Sequence, residues 1–264
     1  MSKKQRPELL IIGLGIMLPG QITVQASQAL ARCVRIYSIV QEDPRIWLPY
    51  GCYGKIEVVN ALSSYIEGRV RTQNYDSAAT SIIDALKEGG VIGYVTYGNP
   101  MAYDRVAQNL LVLAKTSGIT VRIVPGVSSF DTVLCDLRID MAPAIQVFEA
   151  SWLVACEIHP RIDIPLLLMQ VSAFGSLRTH YTRRQDGSSL VELANHLGIS
   201  YPPEHTIYLV VSTGNESRTS AVHRVSLCDL CEVSTEELSG ASLYVPPLTN
   251  VSPNMEIVKR MEEA

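Results

Sequence analysis

Two tyrosines and two arginines stand close together in the stretch Ser64-Tyr65-Ile66-Glu67-Gly68-Arg69-Val70-Arg71-Thr72-Gln73-Asn74-Tyr75. If a helix begins near Arg71, then Arg71 and Tyr75 lie at i and i+4 on one face, and a guanidinium and a phenol point the same way. A phenol with an unperturbed pKa of about 10 is a poor base at neutral pH, but a neighbouring guanidinium favours the phenolate. From spacing alone the plainer reading stays open: a solvated arginine face, with the tyrosines half-packed on the domain.

These residues lead into the stretch around which the chain is organised, Gly93-Tyr94-Val95-Thr96-Tyr97-Gly98-Asn99-Pro100-Met101-Ala102-Tyr103. An apolar, β-rich run ends there in Tyr-Gly-Asn-Pro, residues that stop a strand and open the backbone toward a ligand. Before it, apolar positions at helical spacing predict a helix over Asp76 to Lys87. After it the pattern gives a helix over Val106 to Lys115 and a strand over Val121 to Val124, which stops at Pro125-Gly126-Val127-Ser128-Ser129. That alternation implies an α/β fold with parallel strands and crossover helices, and ligands outside the carboxyl ends of the strands.

The chain opens in the same way. Leu9 to Ile12 reads as a strand that breaks into Gly13-Leu14-Gly15, Thr23 to Arg32 as a helix with Thr23 as N-cap, and Val34 to Val40 as a second strand. A basic start followed by an apolar run also fits a signal peptide. Glu8, the two glycines and Pro19-Gly20 favour a first buried strand instead. A dinucleotide-binding reading is weak, because Gly20 is displaced by Pro19 and the next acids, Glu42 and Asp43, fall beyond the end of the second strand. Gln41 to Tyr53 reads as irregular.

In the second half, Ser128 to Leu137 is helix-like and Ile164 to Met169 is a strand ending in Gln170. Leu190 to Leu197 is a helix closed by Gly198 as its C′ residue. Ile207 to Val211 is a strand running into Ser212-Thr213-Gly214, and Ser242 to Val245 runs into Pro246-Pro247. The spacing suggests a mixed sheet. We expect an N-terminal α/β domain over 7–125, a C-terminal α/β domain over 126–250, and a tail or short helix over 251–264.

With 264 residues, 47% of them hydrophobic, the chain can bury one large core or two smaller ones. A formal net charge of −4, with basic residues scattered, argues against nucleic-acid binding. No apolar run reaches the roughly 18 residues of a spanning helix, so no membrane partner is expected. The six cysteines lie mostly in apolar or helical segments, which fits reduced thiols and a cytoplasmic location. Cys228 and Cys231 form a CxxC without a second pair, and the five histidines show no ligand spacing, so no metal is expected.

Taken together, Gly13-Leu14-Gly15, Tyr97-Gly98-Asn99-Pro100 and Pro125-Gly126-Val127-Ser128-Ser129 resemble the loops of the tetrapyrrole methylase superfamily. Within it the sequence is most similar to the borosin peptide backbone α-N-methyltransferases. That likeness rests on Tyr65, Arg71, Tyr75 and Tyr97, on Pro125 to Asp140, and on Phe148-Glu149-Ala150. Two departures stand out: Asn99 replaces a usual histidine, and no core peptide follows Ala264.

The resemblance implies a two-domain methyltransferase that uses S-adenosyl-L-methionine to methylate backbone amides of a separate precursor peptide, working as a homodimer with two peptides. A same-fold enzyme acting on a tetrapyrrole or another small molecule is the alternative. The borosin resemblance implies Tyr75 as proton acceptor or relay, Arg71 as the group lowering its pKa, and Tyr65 and Tyr97 as donors and positioners around the peptide carbonyl. The cofactor's methionine and ribose are expected near Tyr97, Gly98, Asn99, Pro100, Ala102, Ser128 and Ser129. Its adenine is expected near Gln170, Ser212, Thr213, Gly214, Pro246 and Pro247. The Gly13 to Gly15 loop is read equally as a tight turn or as a direct contact.

Overall fold

A computed structural model describes residues 6–180, 185–214 and 219–263. Among them the chain forms two compact units. The first takes in Met1–Cys135, Ser176–Arg183 and Ser212–Ser220, and the second Asp136–Gly175, Arg184–Val211 and Ala221–Ala264.

The first unit is built on five parallel strands: β1 (Glu8–Gly13), β2 (Arg35–Ser38), β3 (Glu57–Asn60), β4 (Val91–Thr96) and β5 (Thr120–Val124), in spatial order β3-β2-β4-β1-β5. The apolar run that opens at Glu8 is the buried strand β1, paired on both sides, while Lys3 and Lys4 lie outside the described residues. Such a strand buries both faces, so its residues run apolar without alternation.

Between the strands run α1 (Val24–Leu30), α2 (Pro44–Trp47), α3 (Arg71–Leu86) and α4 (Arg105–Thr116). Thr23 caps α1 by accepting from the Ala26 amide. The segment expected to be irregular contains the short helix α2, started by Asp43 as N-cap and Pro44 at its first position.

Alternation along β1 and β4 assigns the two faces of the sheet. Leu10, Ile12, Val91 and Val95 pack with α1 and Trp47, whereas Leu9, Ile11, Ile92 and Tyr94 pack with Ala79, Ile82 and Leu86 of α3 and Leu110 of α4.

The second unit holds β6 (Gln146–Glu149), β7 (Leu166–Met169), β8 (Thr206–Val211), β9 (Ala221–Ser226) and β10 (Ser242–Val245), in order β6-β7-β10-β8-β9. Only β6 and β7 are parallel, so the sheet is mixed, as expected. Its helices include α6 (Ala150–Ala155), α7 (Val191–Gly198), α8 (Thr235–Leu238) and α9 (Met255–Glu262). A helix α5 (Ser129–Leu137) follows β5. Gly198 lies inside the last turn of α7, which closes at Ile199, so it is not the left-handed C′ residue expected. No helix among the described residues is long and apolar enough to cross a membrane.

Candidate active site

Three glycine loops of the first unit meet at the carboxyl ends of β1, β4 and β5. The chain bridges there, Gly98 N–H donating to the Gly15 carbonyl at 2.8 Å, while the Leu14 amide donates to the Thr96 carbonyl at 3.0 Å. A Cβ on Gly13 would lie 2.3 Å from the Gly98 oxygen and 2.9 Å from the Gly126 nitrogen. One on Gly126 would lie 2.3 Å from the same Gly98 oxygen. Only glycine lets three main chains approach so closely. The loops that spacing singled out are thus one structure.

Its parts are individually tied down. Gln21, which sequence reasoning passed over, accepts the amides of Ile16 and Met17 on Oε1 at 2.8 and 2.9 Å. Asn99 accepts the Met101 amide on Oδ1, and the Ala102 amide returns to the Asn99 carbonyl, so Gly98-Asn99-Pro100-Met101-Ala102 closes as a turn. Ser128 donates from both its amide and its hydroxyl to Asp131, at 2.8 Å each, just ahead of Ser129 at the start of α5. Gly214 is drawn to this loop cluster, its carbonyl accepting from the Leu18 amide, and the Thr213 amide donates to Ser220. Ser212, Thr213 and Gly214 therefore belong to the same unit as Gly13 to Gly15.

Gln170, Pro246 and Pro247 belong to the second unit and do not come together. Strand β10 runs antiparallel to β7 with Val245 opposite Leu166, which sets Gln170 at the end where β10 begins and Pro246 at the other end. Five residues of strand, roughly 16 Å, separate those ends. One adenine ring cannot touch both, which corrects the expectation that groups them. The carboxyl end of β8 shares the end occupied by Gln170, because Ser242 pairs with Val210. Gln170 itself is left-handed, with φ 62°. The signal missed in the sequence is the antiparallel register, which no local pattern encodes.

On the α3 face of the first sheet the structure brings Tyr65, Arg71 and Tyr75 together with Tyr94 and Asp104. The rings of Tyr65 and Tyr75 meet edge to face, centroids 5.9 Å apart. Burial pushes the Tyr75 phenol above its ordinary pKa, the guanidinium of Arg71 draws it down, and the carboxylate of Asp104 pushes it up. Arg71 does lower the phenol, as expected, but desolvation outweighs the cation and the net shift is upward.

Tyr94 is fully buried, and its hydroxyl donates to Asp104 at 2.9 and 3.2 Å. Burial first, then Asp104 and Tyr65, hold that phenol well above the ordinary range. Asp104 also caps α4 by accepting the Ala107 amide at 3.0 Å. Sequence reasoning overlooked this pair, although Asp104 stands one residue before a helix start, where a capping carboxylate is a readable sign.

Tyr97 does not join that group. It packs on the opposite face of the sheet, its hydroxyl donating to Glu42 at 2.5 Å and accepting the Gln41 amide at 2.8 Å. Burial and Glu42 raise it to about 12, against the Gln41 bond that lowers it. Beside it a cavity of about 610 Å³ opens past the ends of β2 and β3, lined by Ser38, Val40, Glu42, Trp47, Val58 and Leu62 among others. No group of histidine, cysteine, aspartate and glutamate among the described residues could hold a metal ion.

A parallel sheet bearing glycine loops at the carboxyl ends of its strands defines a ligand-binding α/β protein, with the ligand expected at those ends. The family model described as Tetrapyrrole (Corrin/Porphyrin) Methylases matches residues 8–219. The chain belongs to that family. It is similar, at 25% identity over 264 residues, to the methyltransferase/ribosomally synthesized cyclic peptide gymnopeptides precursor of Gymnopus fusipes, covering 99% of this chain and 62% of that protein. The omphalotin A precursor of Omphalotus olearius, also named methyltransferase/ribosomally synthesized cyclic peptide, is 25% identical over 257 residues, covering 96% of this chain and 61% of that one. The chain thus spans about three fifths of the length of these curated relatives.

Among solved structures, uroporphyrin-III-C-methyltransferase from Thermus thermophilus superposes with a TM-score of 0.62 at 20% identity, covering 92% of this chain and 93% of that one. The same enzyme complexed with S-adenosyl homocysteine gives 0.60 at 15% identity, covering 90% and 92%.

Proposed function

We propose that this chain is an S-adenosyl-L-methionine-dependent methyltransferase that methylates backbone amide nitrogens of a separate, ribosomally made precursor peptide, working as a pair of copies in the cytoplasm. The observation that carries the reading is the cluster of Tyr65, Arg71 and Tyr75 on one face of the first sheet. The likeness to methyltransferases named as cyclic-peptide precursors supports the peptide substrate.

The meeting of the glycine loops supports the cofactor reading. Gly13, Gly98 and Gly126 leave no room for side chains between three main chains at the strand ends, where Tyr97 to Ala102, Ser128 and Ser129 would hold it. When bound, the sulfonium supplies an electrophilic methyl: the N–CH3 bond forms, the S–CH3 bond breaks, and the thioether leaves.

The residues of the chain must then deal with the amide, whose nitrogen lone pair is delocalised into the carbonyl. Arg71 favours the phenolate of Tyr75 against the burial that opposes it. In its phenolate form the Tyr75 Oη accepts the amide proton, and the resulting phenol returns it to solvent. Because the phenol is raised, the phenolate is scarce near neutral pH, and turnover should climb with pH. Tyr65 holds the Tyr75 ring edge on. Tyr97, bonded to Glu42 on the other face, acts at the cofactor loop and not on the peptide proton.

The test is to co-express the protein with the short open reading frames beside its gene and to search the resulting peptides by tandem mass spectrometry. Methyl groups localised on backbone nitrogens support the reading. A protein that retains S-adenosylmethionine yet methylates none of them points to a tetrapyrrole or another small molecule.

A further inference from the structure

The helix that carries Arg71 and Tyr75 starts without a side-chain cap. Its N-cap position is Val70, which has no side chain able to accept the orphan amides of the first turn. A segment more than a hundred residues away takes over. The Arg71 amide donates to the Leu177 carbonyl at 2.9 Å, the Gly68 amide to the Thr179 carbonyl at 2.8 Å, and the Thr179 amide to the Arg69 carbonyl at 2.9 Å.

Asn74 ties these pieces together. It is fully buried, and its side chain reaches three groups on two other segments. Oδ1 accepts the Ile66 amide at 3.1 Å, while Nδ2 donates to the Ile66 carbonyl at 3.1 Å and to the Thr179 hydroxyl at 2.8 Å. A buried amide with its polar atoms satisfied holds its surroundings in one arrangement, because any displacement leaves a desolvated group unpaired. Ile66 adjoins Tyr65 in the chain, and Asn74 adjoins Tyr75.

We propose that Asn74 is a positioning residue for methyl transfer, acting with Thr179 to fix Tyr65 against Arg71 and Tyr75. The inference rests on the backbone-methylation reading of that cluster. Asn74 does not touch the reacting atoms. It sets the separation of two segments that carry the candidate catalytic side chains, and near-attack chemistry is sensitive to shifts of about 1 Å.

The full-length chain carrying Asn74→Ala, and separately the isosteric Thr179→Val, should be compared with the parent. In ring-labelled tyrosine NMR spectra, assigned by single Tyr→Phe variants, the Tyr65 and Tyr75 signals should move while those of Tyr97 and Tyr244 stay. For methyl transfer to a peptide the parent accepts, kcat should fall at least tenfold in Asn74→Ala and about threefold in Thr179→Val. The calorimetric Kd for S-adenosylmethionine should stay within twofold.

Unmoved Tyr65 and Tyr75 signals in a folded variant overturn the inference, as does a kcat loss matched by an equal loss of cofactor affinity. If Asn74→Ala does not fold, Thr179→Val decides by the same readouts. A parent that methylates no peptide sinks the backbone-methylation reading, and the NMR comparison still decides whether Asn74 positions the tyrosines.

Discussion

The hydroxyl of Tyr94 donates to both oxygens of Asp104, joining the middle of β4 to the N-cap of α4, and the same carboxylate acts on the Tyr75 phenol. One carboxylate therefore caps a helix, satisfies a buried phenol and opposes ionisation of a second phenol. Arg71 acts on Tyr75 in the opposite sense, so the acidity of that residue is set between two charges within a desolvated site.

Asp104→Asn removes the negative charge and keeps a group able to accept from Tyr94. Since Asp104 raises Tyr75, the phenol should ionise at lower pH in the variant, and the rising limb of the pH–rate profile should move to lower pH. The Tyr75→Phe difference in phenolate absorbance, followed through alkaline titration, checks the assignment.

Arg71→Ala acts the other way. It takes away the group that lowers Tyr75, so its rising limb should move to higher pH, and turnover at neutral pH should fall about a hundredfold. Tyr75→Phe should lose at least as much, with no rising limb left. Both should bind S-adenosylmethionine nearly as the parent does in calorimetry, and full activity of both variants would remove this set from the chemistry.

Glycine positions should separate sharply. Gly13→Ala forces a Cβ to within 2.3 Å of the Gly98 oxygen, and as backbone sits on both sides the loops must part. We expect a loss of about 3 kcal/mol or more, together with weakened cofactor binding. Gly198→Ala lies in the last turn of α7, with nothing within 4 Å of the added carbon, and should stabilise by about 0.5–1 kcal/mol. Urea unfolding of the two variants tests both signs.

Cys33 is buried against α1 and Gly93, and burial raises its thiol from 9.0 to about 12. The folded state disfavours the thiolate, so its contribution to stability is complete below about pH 9 and is lost as pH rises toward about 12. Cys135 and Cys156 are exposed and should react with a thiol reagent in the native protein, whereas Cys33 should react only on unfolding. Mass spectrometry of the labelled peptides distinguishes them.

Much of the first sheet was legible in the sequence because a central parallel strand is apolar on both faces and ends in glycine. β1 and β4 follow from that pattern, whereas β5, an edge strand largely open to solvent, is marked by the Pro125-Gly126 that ends it. Strands β3 and β9 sit at sheet edges, half exposed, and β6 is only four residues long, so their composition carries little signal. At the candidate site, the i and i+4 spacing of Arg71 and Tyr75 was readable once a helix was placed there. The sequence reading groups Tyr97 with them although its position just past the end of β4 puts it on the other face, and leaves out Tyr94, which faces them. The upward pKa of Tyr75 depends on burial, a tertiary quantity that spacing does not contain.

The start of α3 and the segment at Leu177 to Thr179 are over a hundred residues apart, and this has a consequence for synthesis. At a translation rate of roughly 5–20 residues per second, the ribosome spends several seconds between delivering Asn74 and delivering Thr179. Through that interval the β-strands around Tyr94 can already have paired, while the entry to α3 waits for its distant partner. The nascent protein thus assembles its scaffold first and its reactive geometry late, and a chain released before residue 179 carries the tyrosines without the hydrogen bonds that align them.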